Sequence, residues 1–130
     1  MGLMRLFSTG KSDSEKSRDT IQWISLENKE QLEEILKRST DIPQVIFKNS
    51  TTCGISGMAR RSFESHNSTC DDKAEFHLFH IQHNRELSHE IASRLGIRHE
   101  SPQVLIIKYG RVVHHASHGL ISGINLSEWI

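Results

Sequence analysis

The apolar residues of this chain change period several times, and each change predicts an element. Ile21-Gln22-Trp23-Ile24 reads as a short strand. Asn28 offers a side-chain acceptor for a helix start, and Leu32, Ile35 and Leu36 share one face of a helix running through Lys37. Pro43 sets the entry to an apolar strand, Gln44 to Lys48. The polar turn Asn49-Ser50-Thr51-Thr52 leads into a helix from about Cys53 to His66, with Met58, Ala59 and Phe63 as core contacts. Ser65 to Asp72 reads as a polar loop. From Glu75 to Gln82 the chain alternates. Phe76, Leu78 and His80 point one way and His77, Phe79 and Ile81 the other, so this strand is covered on both sides. Asn84 caps a helix from Arg85 to Leu95, whose Leu87, Ile91 and Leu95 recur every four residues, and Gly96 suits the position just past its end. A strand, Gln103 to Lys108, turns tightly through Tyr109-Gly110 into another, Arg111 to Ser117. Gly119 breaks that strand, and a short helix from about Asn125 to Ile130 follows.

The predicted order is β-α-β-α-β-α-β-β-α. Two helix-connected β-α-β units followed by a hairpin and a helix define an α/β protein with a mixed sheet and helices on both faces. Ser8 to Thr20 is polar and charged and cannot bury enough apolar surface to offset its ordering entropy. Residues 1–20 are therefore expected to be a flexible segment, and residues 21–130 one folded domain.

Charge and composition narrow the function. Sixteen basic and 16 acidic residues cancel, which predicts no broad basic face and no nucleic-acid partner. No apolar run approaches the ~18 residues of a membrane span, and the first seven residues are too short for a signal-peptide core. Two cysteines do not make a disulfide framework. A reducing cytoplasm is the expected compartment.

The chemistry concentrates at Cys53. A thiol at a helix start meets orphan N–H groups and the positive end of the helix dipole, both of which favour the thiolate. Burial would push the other way and leave a small inert hydrophobe. The strand–turn–helix setting favours reactivity. Three residues on stands Ser56, whose hydroxyl can reach back toward the sulfur but cannot close a disulfide, so the spacing argues for one-cysteine chemistry completed by a small thiol. Thr51 and Thr52 are candidates to hydrogen-bond the thiolate or its ligand. Ser101-Pro102 stands before the Gln103 strand; a cis bond there would set an exposed backbone beside the thiol, ready to pair with a substrate as an added strand.

Thr52-Cys53-Gly54-Ile55-Ser56, together with Ser101-Pro102-Gln103-Val104-Leu105-Ile106-Ile107-Lys108 and Val112-Val113-His114-His115-Ala116-Ser117-His118, resembles the monothiol bacilliredoxins, the YtxJ-like proteins of the bacillithiol system. The resemblance runs from about Trp23 onward. It implies a thioredoxin-like fold with a central mixed sheet of about five strands, Pro102 in cis, and Cys53 as catalytic thiol. It also implies a role in removing bacillithiol, as co-substrate, from S-thiolated client proteins, with no bound cofactor. One position departs: the family motif usually has proline after the cysteine, and this chain has Gly54, which loosens the turn. That glycine makes Cys-Gly-Ile-Ser similar to the Cys-Gly-Phe-Ser motif of monothiol glutaredoxins, which share iron–sulfur clusters with glutathione. Those have a Thr-Val-Pro loop and a later Gly-Gly segment; here the loop is Glu100-Ser101-Pro102 and no Gly-Gly occurs. A cluster carrier is the second reading, and a thioredoxin-like binding module without turnover the third.

Other residues carry less. Sixteen residues lie between Cys53 and Cys70; spanned by helix, that gap sets the sulfurs on the order of 20 Å apart, so Cys70 is an incidental loop thiol. The nine histidines lack zinc-like spacing, and no metal site is expected. Lys48, at a strand end, adds positive potential or is simply solvated. Trp23 and Trp129 are packing residues.

Overall fold

The elements form where local chemistry and burial agree. The computed structural model describes residues 21–51 and 54–130, so the expectations for residues 1–20 and for Thr52 and Cys53 lie outside the described residues. Strand β1 is Trp23–Ser25, α1 Lys29–Arg38, β2 Gln44–Asn49, α2 Gly54–Asn67, β3 Glu75–His80, α3 Arg85–Leu95, β4 Gln103–Lys108 and β5 Arg111–Ser117. Helix α1 starts with a full capping box: Asn28 Oδ1 accepts the Gln31 N–H at 2.9 Å, and Gln31 Oε1 accepts the Asn28 N–H at 3.2 Å. Asn84 caps α3 by accepting the Leu87 N–H at 3.0 Å, and Gly96, with φ of 67°, ends it in the left-handed region. The β4–β5 hairpin turns through Tyr109 and Gly110, both at positive φ, which suits the right-handed twist of the strands. That turn docks on the end of α1, where the Ser39 carbonyl and hydroxyl accept the Tyr109 and Gly110 N–H groups.

The five strands make one mixed sheet in the order β1-β3-β2-β4-β5. β3 runs parallel to both β1 and β2, while β4 is antiparallel to β2 and β5. Every residue of the central β2 is buried. Alternate residues feed two cores. On one face Val45, Phe47, Phe76, Val104 and Ile106 pack with Phe63 of α2 and with Ile121, Ile124 and Leu126. On the other, Ile46, Phe79, Leu105 and Ile107 pack with Leu32 and Ile35 of α1 and Leu87 and Ile91 of α3. Trp23 closes the first core edge-on to Phe47 and Phe76, and its Nε1–H donates to Glu64 at 2.5 Å.

Four sequence expectations need correcting. Residues 65–72 do not form a polar loop: α2 continues to Asn67, a 3-10 turn spans Ser68–Cys70, and both Asn67 and Cys70 are buried. Cys70 is accordingly a core residue on the first face rather than a loop thiol. Met58 is 63% exposed and is no core contact; Phe63 and Ala59 fill that role. The terminal α-helix is replaced by two 3-10 turns, His118–Gly123 and Leu126–Glu128. Tertiary bonds decide that region: Asn67 Nδ2 donates to the carbonyls of Phe63 and Ile124, and Asn67 Oδ1 accepts the Leu126 N–H at 2.9 Å. Among the described residues no helix is long and apolar enough to cross a membrane.

Candidate functional site

β2 delivers its last residues into the turn before α2, and the parallel neighbour β3 ends beside it, with Asn49 opposite His80. Three bonds shape this turn. The Ser50 N–H donates to Ser56 Oγ at 3.2 Å, the Thr51 N–H donates to Gln82 Oε1 at 3.0 Å, and Gln82 Nε2 donates to Ser50 Oγ at 2.8 Å. Ser56 is fully buried in the first turn of α2, so its hydroxyl serves to close the loop from 50 to 56. Thr51 is exposed, as is Gly54, the first residue of α2. A Cβ added at Gly54 would meet nothing within 4 Å, so local space does not require glycine there. Ile55 and Met58, 61% and 63% exposed, put apolar surface around the helix start.

The second loop arrives from the other neighbour. β4 pairs with β2 so that Gln103 lies opposite Lys48, which sets Pro102, one residue earlier, at the same end of the sheet. The Ser101–Pro102 bond is cis. Pro102 is buried, and its carbonyl accepts the His118 N–H at 3.0 Å. Ser101 is half-buried; its Oγ is sealed without a hydrogen bond, and its backbone makes no backbone hydrogen bond among the described residues. Of the sequence candidates, then, Thr51, Gly54, Ser56, Ser101 and Pro102 gather at one end of the sheet.

Three further residues sit there that the sequence reading missed or misjudged. Lys48 is not solvated: it is fully buried, and its Nζ lies 3.4 Å from His99 Nδ1. Burial pushes its pKa down to about 8, against the opposing pull of Glu100. His99 also meets Ser88 Oγ at 3.2 Å, and burial, Lys48 and His89 hold its pKa below the usual histidine range. Gln82, absent from the sequence candidates, is the tie between the end of β3 and the turn. The signal for it was the predicted parallel pairing of its strand with β2, which forces residues just past the two strand ends together. Two other histidines serve packing or hydrogen bonding. His77 is buried against Gln44 at 2.8 Å with its pKa pushed down to about 4, and His114 stacks on Trp129 at 4.2 Å. Among the described residues no group of three or more His, Cys, Asp or Glu is placed to hold a metal ion.

A mixed five-stranded sheet between helices, with a cis-proline loop facing a strand–turn–helix junction, is the thioredoxin fold, and solved structures agree. A protein with a thioredoxin fold is 28% identical and superposes with a TM-score of 0.70 over 81% of this chain and 90% of its own. Thioredoxin from Trypanosoma brucei brucei, 17% identical, gives a TM-score of 0.67 over 82% of this chain and 88% of that one. The reduced thioredoxin pre-protein of Schistosoma mansoni, 19% identical, gives 0.67 over 84% and 99%. These last two likenesses establish the fold. Within that class, residues 24–126 match the family model of monothiol bacilliredoxin BrxC, so the chain belongs to the monothiol bacilliredoxin family. It is a thiol–disulfide oxidoreductase acting through a single active-site cysteine.

Proposed function

We propose that Cys53 is that cysteine and that the enzyme removes bacillithiol from client proteins capped as mixed disulfides. The observation that carries the reading is the meeting of two loops at one end of the sheet. The turn through Ser50 and Thr51 runs toward the start of α2, and the cis-Pro102 segment enters β4 opposite Lys48. A thiol just before α2 lies where orphan N–H groups and the helix dipole favour the thiolate. Ser56 in place of a second cysteine leaves no internal resolving thiol. Cys70, 6% exposed within the core, is occupied by packing.

In this scheme the Cys53 thiolate attacks the bacillithiol sulfur of the capped client. The old S–S bond breaks, the client cysteine leaves with the electron pair as a thiolate, and a Cys53–bacillithiol disulfide forms. The thiolate of a second bacillithiol attacks the bound bacillithiol sulfur. Cys53 leaves as a thiolate, and the symmetric disulfide of bacillithiol departs. The unbonded backbone of Ser101 supplies the edge on which an extended client segment pairs as an added strand. Thr51, Thr52 and Gly54 shape the substrate's approach, and the setting is a reducing cytoplasm.

Mass spectrometry after incubation with oxidised bacillithiol tests the assignment. One adduct is expected, on Cys53. Cys53→Ser should reduce mixed disulfides no faster than the uncatalysed background, while Cys70→Ala should keep most activity. Equal loss in both variants would refute the assignment. A visible chromophore after anaerobic iron–sulfide reconstitution, with no turnover, would favour the cluster-carrier reading instead.

A further inference from the structure

The chain between α3 and β4 is held in place without a backbone ladder. Gly96 ends α3, and the Ile97 N–H still reaches back to the Ala92 carbonyl. From Arg98 to Ser101 no backbone group makes a backbone–backbone hydrogen bond among the described residues. Arg98 and His99 are exposed and Glu100 and Ser101 half-buried, so this segment runs along the surface into cis-Pro102. Ordering such a run costs conformational entropy, and other contacts must offset it.

Side chains do so at three points. Gln103, buried at the start of β4, donates its Nε2–H to the Arg98 carbonyl at 3.1 Å. Ser117 of β5 hydrogen-bonds Glu100 and, with His118, Arg98 and His115 nearby, holds its carboxyl below the usual carboxylate range against the effect of burial. His99 Nδ1 takes the remaining contacts, with Lys48 Nζ of β2 at 3.4 Å and Ser88 Oγ of α3 at 3.2 Å.

The Lys48 contact is the costly one. Lys48 has no exposed surface, and His99 is its one hydrogen-bond partner among the described residues. Its register neighbours are Phe79 in β3 and Gln103 in β4. With a pKa of about 8 the amine is an ammonium at neutral pH. An ammonium only donates, so His99 accepts at Nδ1 and the bond is charge-assisted. An apolar side chain of similar length would fill this place without burying a charge. What the lysine adds is a fixed link from the central strand to the residues just before Pro102.

We propose that Lys48 and His99 are positioning residues, whose contact fixes the Arg98–Ser101 segment so that its free backbone groups meet an extended client chain. The inference rests on the reading of Ser101 as the client-pairing edge and extends it to the residues that set that edge. The effect is on client binding: a pre-ordered edge loses less freedom when a partner pairs with it. Neither residue needs to touch the reacting sulfur.

Two measurements on the full chain test it. The first uses the free protein. Amide heteronuclear NOE values at His99, Glu100 and Ser101 should fall in Lys48→Met and in His99→Ala, while those of Val45 and Ile106 in the core stay as in wild type. Unchanged values at all three segment residues in both variants overturn the tether. The second compares, in excess bacillithiol, the uncapping of a bacillithiol-capped protein client with the reduction of 2-hydroxyethyl disulfide, which has no peptide backbone to pair. In Lys48→Met the KM for the protein client should rise about fivefold, the scale of one lost hydrogen bond, with kcat within about twofold of wild type and a smaller KM rise for 2-hydroxyethyl disulfide. Equal effects on both substrates, or an unchanged client KM, overturn the positioning role. Should wild type reduce neither substrate, the bacillithiol reading itself fails, and the NOE values still decide whether these two residues fix the segment.

Discussion

A lysine amine taken out of water holds its proton less firmly than an exposed one, and burial brings the pKa of Lys48 down to about 8 although Glu100 pulls the other way. The unfolded chain has Lys48 near its ordinary value of 10.5, so between about pH 8 and 10.5 the unfolded state binds more protons and stability rises with pH. The rise attributable to this residue is up to ~3 kcal/mol. Denaturant unfolding of wild type and Lys48→Met across that range checks it. The variant should be the more stable below pH 8 and should lose this rise; a parallel pH dependence in both proteins would show that the amine is not desolvated. His77 follows the same physics at the opposite end of the strands: burial keeps it neutral, with Nε2–H donating to Gln44 Oε1. Neither behaviour was legible from residue type, because exposure is set by what packs over a side chain.

Helix starts were the most legible elements. The Asn28 and Asn84 caps and the Gly96 terminus appear where the sequence placed them, since each depends on residues within four positions. The end of α2 was not legible. Asn67 reads as a loop residue because asparagine favours turns, yet here its amide is spent on three buried backbone groups that latch the residues after β5 onto α2. Asn67→Ala should cost about 2–4 kcal/mol, because it strands the Leu126 N–H and the Ile124 carbonyl out of water. Equilibrium unfolding measures this. A cost under about 1 kcal/mol would mean that this segment holds by its apolar contacts alone.

At the scale of the molecule, strand order brings the site together. Residues 50–51, 80–82 and 99–102 are distant in sequence and meet because β2 lies between β3 and β4. Gln82 is the joint between two of these segments. Gln82→Ala should speed hydrogen exchange at the Ser50 and Thr51 amides and lower kcat/KM several-fold while leaving the midpoint of thermal unfolding nearly unchanged, since the side chain is exposed. Unchanged exchange at both amides would show that Ser56 alone holds the turn.

The sequence by itself determined the alternation of strands and helices, the two-faced burial of β3, the tight Tyr109-Gly110 hairpin and the one-cysteine character of the chemistry. All of these rest on local periodicity, capping and spacing. Tertiary structure alone decided that Cys70 belongs to the core, that Lys48 is buried against His99, and that Arg85 and His99 line one cleft. Those outcomes depend on which segments the sheet makes neighbours. Burial and electrostatic environment are properties of that neighbourhood, and no short stretch of chain encodes them.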